Sequence, residues 1–399
     1  MRILARLQRP SNVTIATGIY FFTALYFYLP VMTLYLLDHG LTLVQGGVMH
    51  GTILATQFAA EVPTGIIADR WSRKTTWMAA LFLQFLGEAW FFFARDYWEY
   101  ICIAVIAGIG YAFASGAVEA LIYETLPRQD RQTEMKVALG KVSAAGRIGN
   151  LAAFLASGVI LTQLTPERFS LAIALTVFAV GIGLFLSLFI FEPSETQAPT
   201  QQTSSLTILK SGFQLLRSNP NLRRIVLLMI LSEPFSFYLI TFIQLYFVRA
   251  GVASFLFGPV LAVGSLLAAF SERYVYAVEA RFGMRRTMLA ATTLPGIFYI
   301  LMAPIRQPEI AVFLLFCLYA LMFASRPLLR TYVNHHIADE IRATTLSMIQ
   351  LVGSIYTALM GLVLGYIGGI SILGLFLFMG IVVLSAAVAF RIDERHGVV

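Results

Sequence analysis

Apolar runs of about twenty residues recur along this chain almost from end to end, and only a lipid-embedded fold accommodates them. A hydrocarbon core about 30 Å thick is crossed by roughly 20 residues of helix, because each residue rises about 1.5 Å. Runs of that kind fall at 12 to 37, 42 to 66, 75 to 94, 99 to 126, 138 to 163 and 168 to 191. Six more fall at 222 to 248, 255 to 278, 287 to 304, 308 to 335, 344 to 367 and 369 to 390. A membrane β-barrel would instead show segments of about ten residues with alternating polarity, and nothing here alternates. With 58% hydrophobic and 12% charged residues, the expectation is an all-α membrane protein of twelve transmembrane helices.

The net charge of +7 is topological rather than a sign of nucleic-acid binding. If both ends lie in the cytoplasm, the inner loops and ends collect 20 of the Lys and Arg residues, among them Arg2, Arg70, Arg73, Lys74, Arg131, Arg285 and Arg286. The outer loops keep 4: Arg95, Arg168, Arg249 and Arg306. This asymmetry predicts a multi-pass protein of the cell (inner) membrane with both termini cytoplasmic; contact with membrane lipid and action as a monomer are further expectations. The basic start, MRILARLQRP, precedes an apolar run too long for a signal-peptide core, so the first span reads as uncleaved. Cys102 and Cys317 fall inside spans and read as small apolar residues rather than a disulfide.

The least apolar stretch, which opens with EPSETQAPTQQTSS, divides the chain into 1–191, a linker at 192–221, and 222–399. Within the linker, Leu206, Ile208, Leu209, Phe213, Leu215 and Leu216 predict a short amphipathic helix at the inner surface. The halves also match at an offset of 210 residues: Phe27-Tyr28-Leu29 recurs as Phe237-Tyr238-Leu239, Asp69 aligns with Glu279, and Phe113-Ala114-Ser115 recurs as Phe323-Ala324-Ser325. That register predicts two pseudo-symmetric six-helix bundles.

Between the second and third spans the chain reads Gly65-Ile66-Ile67-Ala68-Asp69-Arg70-Trp71-Ser72-Arg73-Lys74. This resembles the G-x-L-a-D-R-x-G-R-K signature of the major facilitator superfamily, departing from it at Ser72, where glycine is usual, and at Ile67. A weaker copy, Glu279-Ala280-Arg281-Phe282-Gly283-Met284-Arg285-Arg286, comes after the eighth span. The resemblance implies that Gly65, Asp69, Arg70, Arg73 and Lys74 form a gating loop, and that spans 1, 4, 7 and 10 line a central cavity. Independently of the resemblance, a carboxylate and a basic cluster at helix ends can latch neighbouring helices through charge-assisted hydrogen bonds. The fifth span, GKVSAAGRIGN, lacks the Gly-Pro stretch of many drug/proton antiporters of that superfamily.

Ionisable groups at membrane depth are costly and therefore functional candidates. Glu119 and Tyr123 share a helical face with Ser115 in the fourth span, and Arg147 in the fifth lies at a similar depth, which predicts an ion pair or a shared hydrated site. Glu233 precedes Pro234 in the seventh span, and Arg326, Arg330 and Asn334 share a face of the tenth, with His335 and His336 next in sequence. Glu119, Tyr123, Arg147, Glu233 and Arg326 are the candidates for substrate or proton coupling. Glu88, Glu61 and Glu272-Arg273 are further membrane charges. No metal-ligand spacing, catalytic triad or GxxxxGK[ST] loop occurs, so no cofactor and no enzymatic or ATP-driven step is expected. For a small-molecule substrate two readings stand: proton-coupled export of amphipathic compounds by alternating access, or proton-coupled uptake of an organic anion or zwitterion.

Overall fold

Helix signals in the sequence act where a span begins. In the computed structural model Ser11 accepts the Thr14 N–H and opens α1 (Asn12–Thr23). Ser72 does the same for α4 (Arg73–Phe93) through Thr75, and Asp96 with Glu99 forms a capping box on α5 (Tyr97–Ala114). Each such contact satisfies a backbone donor that the helix itself leaves open. The structure describes residues 11–127, 131–192, 217–335, 337 and 342–390, with the backbone alone at Asp69, Asn221, His335, Ala343 and Thr344. The predicted amphipathic helix at 206–217 and His336 lie outside these residues or at their edge, as does the His335 side chain.

The remaining helices are α2 (Met32–Asp38), α3 (Leu43–Arg70), α6 (Ala117–Thr125), α7 (Arg131–Ile160), α8 (Pro166–Ser187), α9 (Pro220–Ala250), α10 (Phe257–Phe282), α11 (Met284–Met302), α12 (Pro308–His335), α13 (Arg342–Ile370) and α14 (Ile372–Ala389). In chain order they occupy the twelve predicted spans. Among the described residues nine helical stretches are long and apolar enough by composition to cross a bilayer. The first span, α3 and α11 account for the rest. The chain is an all-α membrane protein.

Two predicted spans are not continuous. The first breaks between Thr23 and Leu29, where the Phe27 N–H leaves the helical pattern and donates to Thr176 Oγ1 of α8 at 3.1 Å. The fourth breaks at Ser115–Gly116, where Gly116 takes φ +77° and begins α6. That conformation suits glycine because it has no Cβ to clash. Pro63, Pro234, Pro295 and Pro327, by contrast, stand inside unbroken helices.

Contacts divide the chain into two units, Met1–Leu29 with Thr52–Thr200 and Pro30–Gly51 with Gln201–Val399. The first unit is centred on Ile15, Ile19, Trp77, Leu81, Leu121 and Val142. In it α7 lies directly on α1: a Cβ placed on Gly149 would fall 2.4 Å from the Phe21 carbonyl oxygen. Small residues bring backbones together in this way inside lipid, where packing rather than water exclusion drives helix association. The second unit is centred on Leu222, Val226, Leu328, Val333 and Met348. There buried Gln244 of α9 accepts the Thr33 N–H at 2.8 Å and caps α2, which has no side-chain cap of its own.

Candidate functional site

The loop after α3 is a bonded cluster within the first unit. Ser72, at the position where the signature prefers glycine, adopts extended backbone with φ −77° and ψ 155°. A side chain is therefore accommodated there and serves as the N-cap of α4. The carboxylate of Glu192 accepts the next two backbone donors, Arg73 N at 3.0 Å and Lys74 N at 3.2 Å. A negative charge at a helix N-terminus meets the positive end of the helix dipole. Lys74 Nζ reaches the Leu188 carbonyl at 2.9 Å, so α4 is tied twice to the segment after α8. Arg73 Nε pairs with Glu124 Oε1 of α6 at 3.4 Å, with 18% and 5% of the two side chains exposed.

Gly65 is partly buried within α3, and Arg70 closes that helix exposed. The Asp69 backbone belongs to the last turn, and its side chain lies outside the described residues. Trp71 stacks on Phe113 of α5, ring centroids 6.1 Å apart and 5° from parallel. The Glu279 copy lies in the second unit. The Tyr332 hydroxyl of α12 donates to the Glu279 carboxylate, and the Tyr276 hydroxyl meets Thr331 Oγ1 at 2.7 Å.

The break at Gly116 alters the arrangement expected of the fourth span. Ser115 no longer shares a continuous helical face with Glu119 and Tyr123, because the register restarts at Ala117. Glu119 lies exposed in the first turn of α6, near enough to Tyr20 of α1 to act on its hydroxyl electrostatically. Arg147 is exposed on α7 beside Gly146, which packs on the same Tyr20. Glu119 and Arg147 are thus exposed on helices that both come near Tyr20 of α1, and among the described residues no ion pair joins the two. Tyr123 is turned toward the start of α7, where the Arg131 guanidinium lies 5.1 Å from its ring centre.

In the second unit Arg326 of α12 donates to Ser236 Oγ of α9 at 3.0 Å and lies 4.6 Å over the Phe323 ring. Among the described residues no carboxylate lies within ion-pair distance of it. Glu233 is exposed on α9 one turn before Ser236, whose hydroxyl donates to the Glu233 carbonyl at 2.8 Å, and Phe237 beside it is 41% exposed. An arginine held by a neutral hydroxyl and an aromatic face keeps its full charge for a third party.

Glu192, Leu188 and Ser236 do not stand out in the sequence. Glu192 comes directly after the last apolar residue of a span and reads as the start of the linker; only its position beside α4 gives it a role. Ser236 carries no signal of its own, although its spacing of three from Glu233 places both on one helical face. Among the described residues no group of three or more His, Cys, Asp or Glu is placed to hold a metal ion.

The major facilitator superfamily sequence profile matches residues 14–359. The chain is 23% identical over 349 residues to YxaM of Bacillus subtilis, an uncharacterized MFS-type transporter, covering 85% of this chain and 84% of that protein. It is 28% identical over 184 residues to a Haemophilus influenzae protein named "Putative metabolite transport protein", a match spanning 45% of this chain and 43% of that protein. Among solved structures, the nucleoside transporter NupG superposes with a TM-score of 0.76 at 14% identity, covering 95% of this chain and 98% of NupG. A bacterial homolog of the human lysosomal transporter Spinster gives 0.73 at 16% identity, covering 95% of each chain. Likeness at that identity speaks for the fold, while the profile spans most of the sequence: the chain belongs to the major facilitator superfamily and is a multi-pass membrane transporter.

Proposed function

We propose that the protein is a proton-coupled secondary transporter of small amphipathic solutes that carry an anionic group, working by alternating access between halves 1–191 and 222–399. The observation that carries the substrate class is Arg326, held by Ser236 and Phe323 with no carboxylate beside it among the described residues. A cation so placed favours a carboxylate or phosphate on the solute, and exposed Phe237 offers an apolar surface for the rest of it. Glu119 and Glu233 are proposed as groups that exchange protons with water, and Arg147 as a second contact for the solute. Gly65, Asp69, Arg70, Arg73 and Lys74 are proposed as the gate, which Glu124 and Glu192 latch. Protons, lipid and a single copy of the chain complete the expected assembly.

Exposed Glu119 and Glu233 favour a second reading, export of lipophilic cations. Proteoliposomes with an imposed pH gradient separate the two when loaded in turn with an aromatic carboxylate, a zwitterionic aromatic amino acid and a fluorescent lipophilic cation. Gradient-driven flux of the first or second, lost in Arg326→Ala and partly kept in Arg326→Lys, supports the anionic reading. Flux of the cation alone, unaffected by Arg326→Ala and lost in Glu119→Gln or Glu233→Gln, establishes the other. The sign of the gradient that drives flux fixes the direction.

A further inference from the structure

Glu88 of α4 is not part of the gate or of the Arg326 neighbourhood. It stands five residues before the end of a 21-residue helix, about 8 Å inside that end and so within the apolar layer. The Tyr28 hydroxyl donates to Glu88 Oε2 at 2.8 Å, and the Tyr26 ring lies beside that of Tyr28, centroids 5.9 Å apart. Gln84, one turn earlier on α4, donates through Nε2 to the Tyr26 hydroxyl at 3.0 Å and to the Thr23 carbonyl at 3.4 Å. In an unbroken helix the Thr23 carbonyl would accept from Phe27 N–H, but that donor is instead taken by Thr176. The discontinuity of the first span is therefore held open from α4 on one side and from α8 on the other.

The titratable groups facing Glu88 are hydroxyls: Tyr26 and Tyr28 from the first span and Tyr111 from α5. Neither α5 nor α8 brings a cationic side chain to it among the described residues. The second half of the chain supplies an internal comparison. The Phe-Tyr-Leu triplet recurs there with Tyr238, but the position 210 residues after Glu88 is Phe298. The Tyr238 hydroxyl is buried without a hydrogen-bond partner among the described residues, and α9 runs unbroken through it. The acid and the break occur together in one half and are absent together from the other.

We propose that Glu88 is a proton-binding site that controls the break in the first span. The ionised carboxylate, as an acceptor only, holds the Tyr28 hydroxyl toward α4 through a charge-assisted bond. When it takes a proton from water the charge is lost and its O–H becomes a donor, so the bond from Tyr28 becomes a weaker neutral one and the clamp on residues 24–28 loosens. A carboxylate in lipid without a cation partner is the kind of group that binds a proton rather than remaining charged. Protonation of Glu88 in the free protein depends neither on the solute nor on the direction of transport.

The test is infrared difference spectroscopy of the purified full-length protein in lipid, titrated between about pH 5 and 9, alongside hydrogen exchange of the backbone at 24–31 corrected for intrinsic rates. The expected result is a protonated-carboxyl band that titrates in the wild type and is lost in Glu88→Gln but kept in Glu119→Gln and Glu233→Gln. Exchange at 24–31 is expected to rise as that band grows, and to be high at every pH in Glu88→Gln. Tyr28→Phe keeps the acid and removes one donor to its ionised form, so the band should persist to higher pH by about one to two units. A titrating band that survives Glu88→Gln unchanged, or Tyr28→Phe leaving the midpoint where it was, overturns the assignment. So does a band at fixed pH that disappears on adding sodium, which makes the site one for a metal cation.

Discussion

Gly149→Ala tests whether backbone contact between α7 and α1 holds the first unit together. The added Cβ would lie 2.4 Å from the Phe21 carbonyl oxygen and 3.3 Å from the Ala24 Cβ. A carbon normally approaches such an oxygen no closer than about 3.3 Å, so the helices must part by about 1 Å. Overpacking of this kind costs about 1–3 kcal/mol. Alanine also favours a helix over glycine by about 1 kcal/mol, which partly hides the strain. Gly140 on the same helix supplies the correction, because a Cβ there meets nothing within 4 Å. Gly140→Ala should therefore be neutral or stabilising, and the difference between the two variants leaves the packing term of about 1–3 kcal/mol. Denaturant unfolding of the purified protein in mixed micelles measures both. Equal stability of the two variants would refute the close approach, and with it the account of how α1 is positioned just before its break.

Single contacts carry the other predictions. Arg73→Ala leaves the nearly buried Glu124 carboxylate without its partner and should cost about 3 kcal/mol, most of it recovered in Arg73→Ala with Glu124→Gln; a double-mutant cycle in unfolding reads this directly. Glu192→Gln keeps one of the two accepting oxygens and removes the charge at the α4 N-terminus, with an expected loss of about 1–2 kcal/mol, the charge part of which shrinks at high salt. Gly116→Ala meets no neighbouring atom, so its cost of about 1–2 kcal/mol is backbone strain alone, and it should lower stability without the loss of packing shown by Gly149→Ala. Ser236→Ala frees Arg326 from its one hydroxyl anchor, and measured solute binding should weaken by about tenfold while unfolding moves little.

Much of the architecture was legible because lipid imposes a one-dimensional rule. Every backbone polar group in the apolar layer must be satisfied within its segment, so length and hydropathy announce each helix. The starts of α1, α4, α5 and α14 carry their own caps in Ser11, Ser72, Asp96 and Ser371. The breaks at 24–28 and Ser115–Gly116 were not legible: the first depends on what Thr176 and Gln84 offer from distant segments, and the second on the positive φ of Gly116, one of many glycines in apolar runs. Hydropathy runs through both breaks without a pause.

The candidate site divides along the same line. Arg73, Lys74, Glu119, Glu233 and Arg326 are visible in the sequence because a charge in or beside an apolar run is conspicuous. Their partners are not, since a hydroxyl such as Ser236 or an acid at a linker edge such as Glu192 is unremarkable until the fold sets it beside a charge. Glu119 and Arg147 show the converse, two opposite charges at matched depth that no ion pair joins among the described residues. Composition and periodicity by themselves determined that the chain crosses a membrane as helices, and the loop motif pointed to its superfamily, because those properties are written in the order of residues along a segment. Only the tertiary structure decided where the spans break and which polar groups meet, because those contacts join residues 51 to 211 positions apart whose pairing no local pattern encodes.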